Sequence, residues 1–321
     1  KNVQHQKGYA ILTMSAPATK KRKLNRHTTA RENADSLYQT AADRYNYENW
    51  LRIISKAHKE ATVDDQRYIL QLFLSVFPTA SRQWQYWIEL ELHHGNYRDV
   101  ATLFQQVFQH KCYDATLYKL YVKFCEMTNN SQEQDVYLKK MVEAYDWALK
   151  IVGQDTSSTA LWRQYINFLK TNRKALKAKH GISDFVLHLR GLYQKVIQLP
   201  ITECDKLWEE YMSWEKSLNA QLALGWHDKY KHENELARQI YLERKRWRRG
   251  ILFGIQSVPS NNKHVQERNY QQVQFWKRYI DFEALNKQNL QKTDLWRRME
   301  FTFRQALMTM SLFPDIWLLY I

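Results

Sequence analysis

The histidines, cysteines and glycines of this chain do not form a catalytic, metal-binding or phosphate-binding pattern. His110, Cys112 and Cys125 come nearest to a metal-ligand group, but Cys125 falls on a hydrophobic helical stripe and no fourth ligand accompanies them. Gly250 and Gly254 lack the spacing of a loop that binds nucleotide phosphates. The sequence therefore predicts that the protein is not an enzyme and holds no metal or cofactor.

Cations are the residues best suited to binding a partner. The 321 residues include 48 Lys and Arg against 33 Asp and Glu, a formal charge of +15. Five cations fall within six residues near the end of a predicted helix. They could complement the helix dipole and bond the last carbonyls, or they could bind RNA or an acidic protein face. We expect all five to be mostly exposed: Arg244, Lys245, Arg246, Arg248 and Arg249.

Two other basic segments are open to different interpretations. Residues 1–44 form a polar, basic extension that is either a solvated tail or carries a nuclear import signal or phosphate contact at Lys20, Lys21, Arg22 and Lys23. Met14 begins a plausible natural start, which predicts that residues 1–13 are foreign to the protein. A second, acid-free stretch is best interpreted as a solvated loop between two helices: Lys170, Arg173, Lys174, Lys177 and Lys179.

A repeated aromatic pattern indicates the elements that position these residues. An aromatic residue, two variable residues, a second aromatic and an aliphatic residue recur with starts at 50, 84, 118, 162, 208, 276 and 317, the first copy being degenerate. The spacing places them on one helical stripe that packs in a core. The predicted core residues are Trp50, Trp84, Trp87, Tyr118, Tyr121, Trp162, Tyr165, Trp208, Tyr211, Trp276, Tyr279, Trp317 and Tyr320.

A second amphipathic helix is predicted after each stripe, and three of these helices end near Pro78, Pro200 and Pro314. N-caps of the first helices are expected at Ser81, Asp114 and Ser158. With only 8 Gly and 5 Pro, the chain cannot supply the turns of a sandwich, barrel or propeller. We predict an all-α superhelical array of at least six antiparallel helix hairpins with no membrane span.

The repeat spacing also predicts how the chain is divided. The gap between Trp208 and Trp276 is the longest, and it is filled by a long charged helix over Ala220–Arg249 and a loop over Ile255–Lys263. We expect a first block of five repeats over residues 45–255. A second block, with repeat six and part of repeat seven, would occupy residues 256–321.

Five segments resemble the HAT (half-a-TPR) repeats of the suppressor of forked family, which includes the large HAT subunit of cleavage stimulation factor. They are Ala144–Leu149, Trp162–Lys170, Leu207–Tyr211, Ser257–Pro259 and Gln274–Ile280. Their order matches the family from about residue 45 to the end of the chain, although Cys125 and Leu169 stand where a repeat glutamate often lies.

The resemblance implies a non-catalytic scaffold in pre-mRNA cleavage and polyadenylation. Such a nuclear protein would bridge other subunits through stacked HAT repeats, with two repeat blocks that meet at an angle. Its full-length form would be a homodimer, joined through repeats that lie mostly beyond this chain. The alternative is a HAT protein of RNA binding, splicing or ribosome assembly that contacts RNA through its basic clusters. Neither function assigns a partner to a particular face.

Overall fold

The protein is helical over most of the part that its structure, a computed structural model, describes. That part comprises residues 30–40, 43–130 and 133–321, without the side chains of 176–183. The cluster Lys20–Lys23 and the first thirteen residues lie outside it. Within the described residues there is no β-strand, and no helix is long and apolar enough to cross a bilayer.

The first of two compact units is Lys1–Val76. It is helical over residues 30–39 (α1), and it continues with α2 (Tyr47–Glu60) and α3 (Val63–Val76). α1 is attached to α3 by polar contacts: Arg31 pairs with Asp65 at 3.3 Å, and the Tyr68 hydroxyl donates to Asp35 at 2.5 Å. Residues 30–39 of the predicted extension are therefore a packed helix rather than a tail.

The second unit, Phe77–Ile321, contains five helix hairpins and the start of a sixth. Successive hairpins contact one another, because α4 packs on α6, α6 on α8, α9 on α10 and α11 on α12. With α2–α3, this confirms the predicted all-α hairpin array. The helices are α4 (Ser81–His93), α5 (Tyr97–Gln109), α6 (Ala115–Asn129), α7 (Gln134–Val152), α8 (Thr159–Thr171), α9 (Arg173–Val196), α10 (Cys204–Leu218), α11 (Ala220–Trp247), α12 (Lys263–Ala284), α13 (Lys292–Met310) and α14 (Pro314–Tyr320).

Helix ends agree in part with the predicted signals. α3, α9 and α13 each stop two to four residues before a proline, as expected. Asp114 caps α6 by accepting from the Thr116 amide at 2.8 Å. The cap prediction for Ser81 is wrong by one residue, because Ala80 occupies the cap. Ser158 does occupy the cap of α8, but its hydroxyl donates to the Gly153 carbonyl instead of accepting from the helix.

The basic stretch after Lys170 is a helix, and the loop prediction is wrong. α9 begins at Arg173, so Lys174, Lys177 and Lys179 are helical and only Asn172 separates α8 from α9. Lysine, alanine and leucine all favour helix, and neither proline nor glycine interrupts the first two turns. The Lys170 ammonium donates to the Tyr193 hydroxyl at 2.6 Å.

The aromatic stripe forms the core in most repeats. Trp50, Trp84, Trp162 and Trp276 are fully buried, as are the second aromatics of several copies. Their indole N–H groups also secure the preceding turn: those of Trp50 and Trp84 donate to the carbonyl six residues back, at 2.8 Å in both cases. Each buried indole therefore satisfies its single donor while it fills the core.

The burial prediction is wrong for part of the stripe. Trp208 is only half-buried, and its ring contacts those of Tyr211 and His227. Trp317 is 43% exposed, since α14 turns Ile316 rather than Trp317 toward its described neighbours. Three further stripe residues are partly exposed: Trp87, Tyr121 and Tyr320.

Candidate interaction surface

The five cations at the end of α11 divide into two groups that face opposite ways. Arg244 is 2% exposed and Arg248 is half-buried, whereas Lys245, Arg246 and Arg249 are exposed. Residues four apart share a helix face, so Arg244 and Arg248 continue the buried face that includes Ile240. The expectation that all five would be exposed is wrong for Arg244, which lies inside the protein and cannot bind a partner.

Arg244 is buried because it shares a carboxylate with a second arginine. Its Nη2 donates to Glu283 of α12 at 2.9 Å. Arg298 of α13 donates to the same carboxylate through Nε at 3.0 Å and Nη2 at 2.7 Å, and Nη2 also donates to the Tyr279 hydroxyl at 2.7 Å. This Glu283 cluster (Arg244, Tyr279, Glu283 and Arg298) joins three helices in the interior.

The electrostatics of the Glu283 cluster keep its carboxylate charged. Burial alone would raise the pKa of Glu283, but the guanidinium groups of Arg298 and Arg244 outweigh it and lower the pKa to about 2. Burial and the neighbouring Arg298 lower the pKa of Arg244, although Glu283 opposes them. One carboxylate thus balances two guanidinium groups, and its loss would leave Arg244 buried without a counter-ion and Arg298 with only the weaker attraction of Asp155.

α13 also bonds to the turns of earlier hairpins, and we call this set of contacts the clasp. Arg298 donates through Nη1 to the carbonyl of Gln154 at 2.8 Å, in the turn between α7 and α8. Gln305 donates to Asp155 in the same turn. The Met308 carbonyl accepts from Thr79 at 2.6 Å, and its sulfur from the Tyr113 amide at 3.1 Å. The clasp comprises Thr79, Tyr113, Gln154, Asp155, Arg298, Gln305 and Met308.

Arg248 belongs to the inner side of this arrangement. Its guanidinium lies over the Phe253 ring at 4.2 Å from the centroid. With Tyr113, Asp155 and Gln305 it lines a polar cavity of about 130 Å³ beside the clasp. The cation is therefore placed against the repeat turns instead of toward bulk solvent.

The outward cations form the α11 basic surface, which we define as Lys245, Arg246, Trp247 and Arg249. These three cations have no ion-pair partner among the described residues. Glu243, the acid nearest in sequence, is engaged by Lys287. Trp247 is 44% exposed and rests on Phe282, with ring centroids 6.0 Å apart and planes at 27°. The surface thus presents three uncompensated charges beside an open indole face.

The residues that resembled metal ligands have structural surroundings. Cys112 is fully buried, its thiol faces the Pro78 carbonyl at 3.5 Å, and burial together with the nearby Asp114 carboxylate raises its pKa to about 12. The His110 ring stacks on Trp84. In the described part of the chain, no group of three or more His, Cys, Asp or Glu side chains could hold a metal ion.

Sequence reasoning missed the ion pairs of the Glu283 cluster and the contacts of the clasp. The inward position of Arg244 had a usable signal, since it lies four residues after the apolar Ile240 on a stripe. Gln305 and Asp155 had none, because 150 residues separate them and neither belongs to a motif.

Comparison with known proteins gives a consistent set of matches. The family model described as "Suppressor of forked protein (Suf)" matches residues 32–321. The chain is 27% identical over 85% of its length to "Protein suppressor of forked" of Drosophila melanogaster and covers 35% of that protein. It is 27% identical over 86% of its length to "Cleavage stimulation factor subunit 77" of Arabidopsis thaliana and covers 36% of it.

Two further comparisons concern a fungal relative and a solved structure. "mRNA 3'-end-processing protein RNA14" of Yarrowia lipolytica is 26% identical over 84% of the chain, which covers 33% of that protein. The chain thus spans about a third of the length of these relatives. A crystal structure of CSTF-77 superposes on the chain with a TM-score of 0.53 at 19% identity. The match covers 70% of this chain and 43% of that one, and it supports the fold.

Proposed function

The chain belongs to the suppressor of forked family, and we propose that it is part of a non-catalytic scaffold for pre-mRNA 3'-end processing in the nucleus. Its stacked HAT repeats would bridge other subunits of the cleavage and polyadenylation machinery. The names of the relatives from Arabidopsis and Yarrowia support this role, since they describe a cleavage stimulation factor subunit and an mRNA 3'-end-processing protein.

The clasp is the structural observation that best supports a scaffold. In a simple helical array each repeat contacts only its neighbours, so small changes at each interface add up along the array. Here α13 bonds to residues 144 and 229 positions away, at Gln154 and Thr79. Contacts between distant repeats resist the bending that these small changes would produce. They would therefore hold bound subunits at a fixed separation within Phe77–Ile321.

Three further features follow from the same proposal. A domain boundary near residue 255 would separate the two repeat blocks, and the clasp would then fix the angle between them. A homodimer of the full-length protein would form through repeats that lie mostly beyond this chain. Lys20–Lys23 would serve nuclear import, so replacing these four cations by Gln in the full-length protein should shift it toward the cytoplasm.

Affinity purification from nuclear extract tests the scaffold role. The tagged chain is incubated with extract that has or has not been treated with nuclease, and bound proteins are quantified by mass spectrometry. Retention of 3'-end-processing subunits after nuclease treatment would support direct protein bridging. If those subunits are recovered only without nuclease, RNA holds them together and the proposal fails.

A clasp variant supplies a sharper version of that experiment. Thr79→Val and Gln305→Leu together remove two clasp hydrogen bonds without touching the aromatic core. We expect the double variant to stay folded and still to bind each subunit separately. It should recover two or more subunits together less often than wild type does. Gln194→Leu, which removes a bond to the Tyr211 hydroxyl within neighbouring repeats, is the matched control.

A further inference from the structure

The α11 basic surface keeps three positive charges close together without neutralising them. Lys245 and Arg246 are neighbours in the last turn of α11, and Arg249 follows the C-cap residue Arg248, its amide bonded to the Arg246 carbonyl at 3.2 Å. Like charges at this spacing repel, and an anion is the natural way to relieve that repulsion. The helix C-terminus carries a partial charge of only about −0.5, so three full positive charges dominate the local field.

Trp247 adds an exposed aromatic ring to the surface, and a site that only neutralised charge would not need one. One face of its indole is supported by Phe282, which is itself buried in the core. The support holds the ring in place and leaves it 44% exposed to solvent. A rigid, half-open aromatic ring between cations is the arrangement on which unpaired nucleobases stack while their phosphates are bound.

We propose that the α11 basic surface binds single-stranded RNA, with one base stacked on Trp247 and the backbone phosphates held by Lys245, Arg246 and Arg249. Sequence preference would be weak, because every base offers a flat face and the cations contact only phosphate. This goes beyond the scaffold role, which requires no contact with nucleic acid.

An acidic protein segment is the competing occupant, and the observations favour RNA over it. Carboxylates would satisfy the three cations, but they would leave the open face of Trp247 uncovered. A nucleotide provides both an anion and an aromatic ring within one unit, so it satisfies both parts of the surface.

Another exposed tryptophan in the chain serves as a control. Trp296 on α13 is 66% exposed, but it has no aromatic ring supporting it among the described residues. The adjacent Arg297 is paired with Asp294 at 3.2 Å. An exposed indole is therefore present at both places, but only Trp247 combines ring support with unpaired cations.

The binding experiment uses the whole chain and a fluorescently labelled twelve-nucleotide oligouridine, with heparin as a polyanion that lacks bases. Trp247→Leu keeps an apolar side chain over Phe282 but removes the ring, and Trp247→Phe keeps a ring. Lys245→Gln, Arg246→Gln and Arg249→Gln are combined in one variant. Trp296→Leu and a combined Arg98→Gln, Lys119→Gln and Lys123→Gln variant are the controls, since those three cations are exposed elsewhere. Circular dichroism verifies that each variant is folded.

We expect Trp247→Leu to weaken oligouridine binding about tenfold or more, with heparin binding unchanged and Trp247→Phe near wild type. The cation variant should weaken both ligands and lower the slope of log affinity against log salt by about 2 for RNA. Neither control should change binding beyond a small uniform loss. The proposal is overturned if oligouridine does not bind at physiological salt. It is also overturned if Trp247→Leu binds oligouridine as tightly as wild type. Competition by polyglutamate would then identify an acidic protein segment as the occupant.

Discussion

The acid that ends the aromatic stripe has one arginine partner in repeat five and two in repeat six. Glu215 accepts hydrogen bonds from Nε and Nη2 of Arg190, at 2.6 and 2.8 Å. The Arg190 side chain remains 18% exposed. Glu283 is shared by Arg244 and Arg298, whose side chains are both 3% exposed. If Glu215 were removed, water could therefore hydrate Arg190, whereas it cannot reach the two arginines that share Glu283.

The two acids also differ in how far their contacts extend. The Glu215 pair joins α9 to α10, two helices that are neighbours in the array. The Glu283 cluster joins α11, α12 and α13, and its Arg298 continues to the turn at Gln154. The same position of the repeat thus has a local role in one hairpin and connects distant repeats in the next.

Removing the two acids should give the largest contrast. Glu283→Gln leaves Arg244 buried without a counter-ion and takes from Arg298 its hydrogen-bonded carboxylate, and we expect it to lower the free energy of unfolding by about 3–5 kcal/mol. Glu215→Gln should cost about 1–3 kcal/mol, because Arg190 can be hydrated. Urea unfolding followed by circular dichroism measures both. Equal losses would mean that burial does not distinguish the two sites.

Tryptophan truncation should give a similar contrast at the start of the stripe. Trp276 of repeat six is fully buried and its indole donates to the Thr309 hydroxyl at 3.1 Å. Trp276→Ala should cost about 3–5 kcal/mol, the usual range for a large core aromatic. Trp208→Ala in repeat five should cost about half as much, since that ring is only half-buried. A midpoint near that of wild type for Trp276→Ala would contradict the assignment of the stripe to the core.

The pH dependence of stability distinguishes the contribution of the Glu283 charge from that of its packing. Its pKa is about 2 in the folded protein against an ordinary value of 4.5, so the folded state holds its proton less tightly than the unfolded state does. The stability it contributes is fully present above about pH 4.5 and is lost as the pH falls toward 2. The difference in stability between wild type and Glu283→Gln should therefore stay constant from pH 7 to about pH 5 and shrink below that. A difference that shrinks already between pH 7 and pH 6 would show that another group controls it.

The clasp should have the smallest effect on stability. Gln305→Leu removes the bond to Asp155, which keeps the Ser157 amide at 2.7 Å as a donor, so we expect a loss of about 1 kcal/mol. Its effect should be seen mainly as faster amide exchange in the α7–α8 turn. The control Gln194→Leu, on α9 of repeat four, should leave exchange in that turn unchanged. If Gln305→Leu does so too, the clasp does not restrain the turn.

The features that could be predicted from the sequence are those with local periodicity. The aromatic stripe predicted the hairpins, and the prolines predicted the ends of three helices. The long spacing between the repeat starts at Trp208 and Trp276 predicted the long helix α11 and the loop before α12. Each depends on residues within a turn or two of one another, where spacing alone determines which side chains share a face.

The errors arise where distant residues decide the outcome. The sequence predicts Arg244 to be exposed because Glu283, which stabilises its charge inside the protein, lies 39 residues further on. Trp317 follows the stripe spacing, but its burial depends on which helices pack against α14. The clasp joins side chains of different hairpins that no single motif contains, so it required the folded structure.

Hydrogen exchange of the whole chain, wild type against Glu283→Gln and Glu215→Gln, tests the central claim most directly. The claim is that the Glu283 cluster and the clasp connect repeat six to the turns of earlier repeats. Glu283→Gln should accelerate exchange in α11–α13 and also in the turn around Gln154 and Asp155. Glu215→Gln should accelerate it only in α9 and α10. If the Glu283→Gln effect stays within α11–α13 and the Gln154 turn remains as protected as in wild type, the connection does not exist and the claim is wrong.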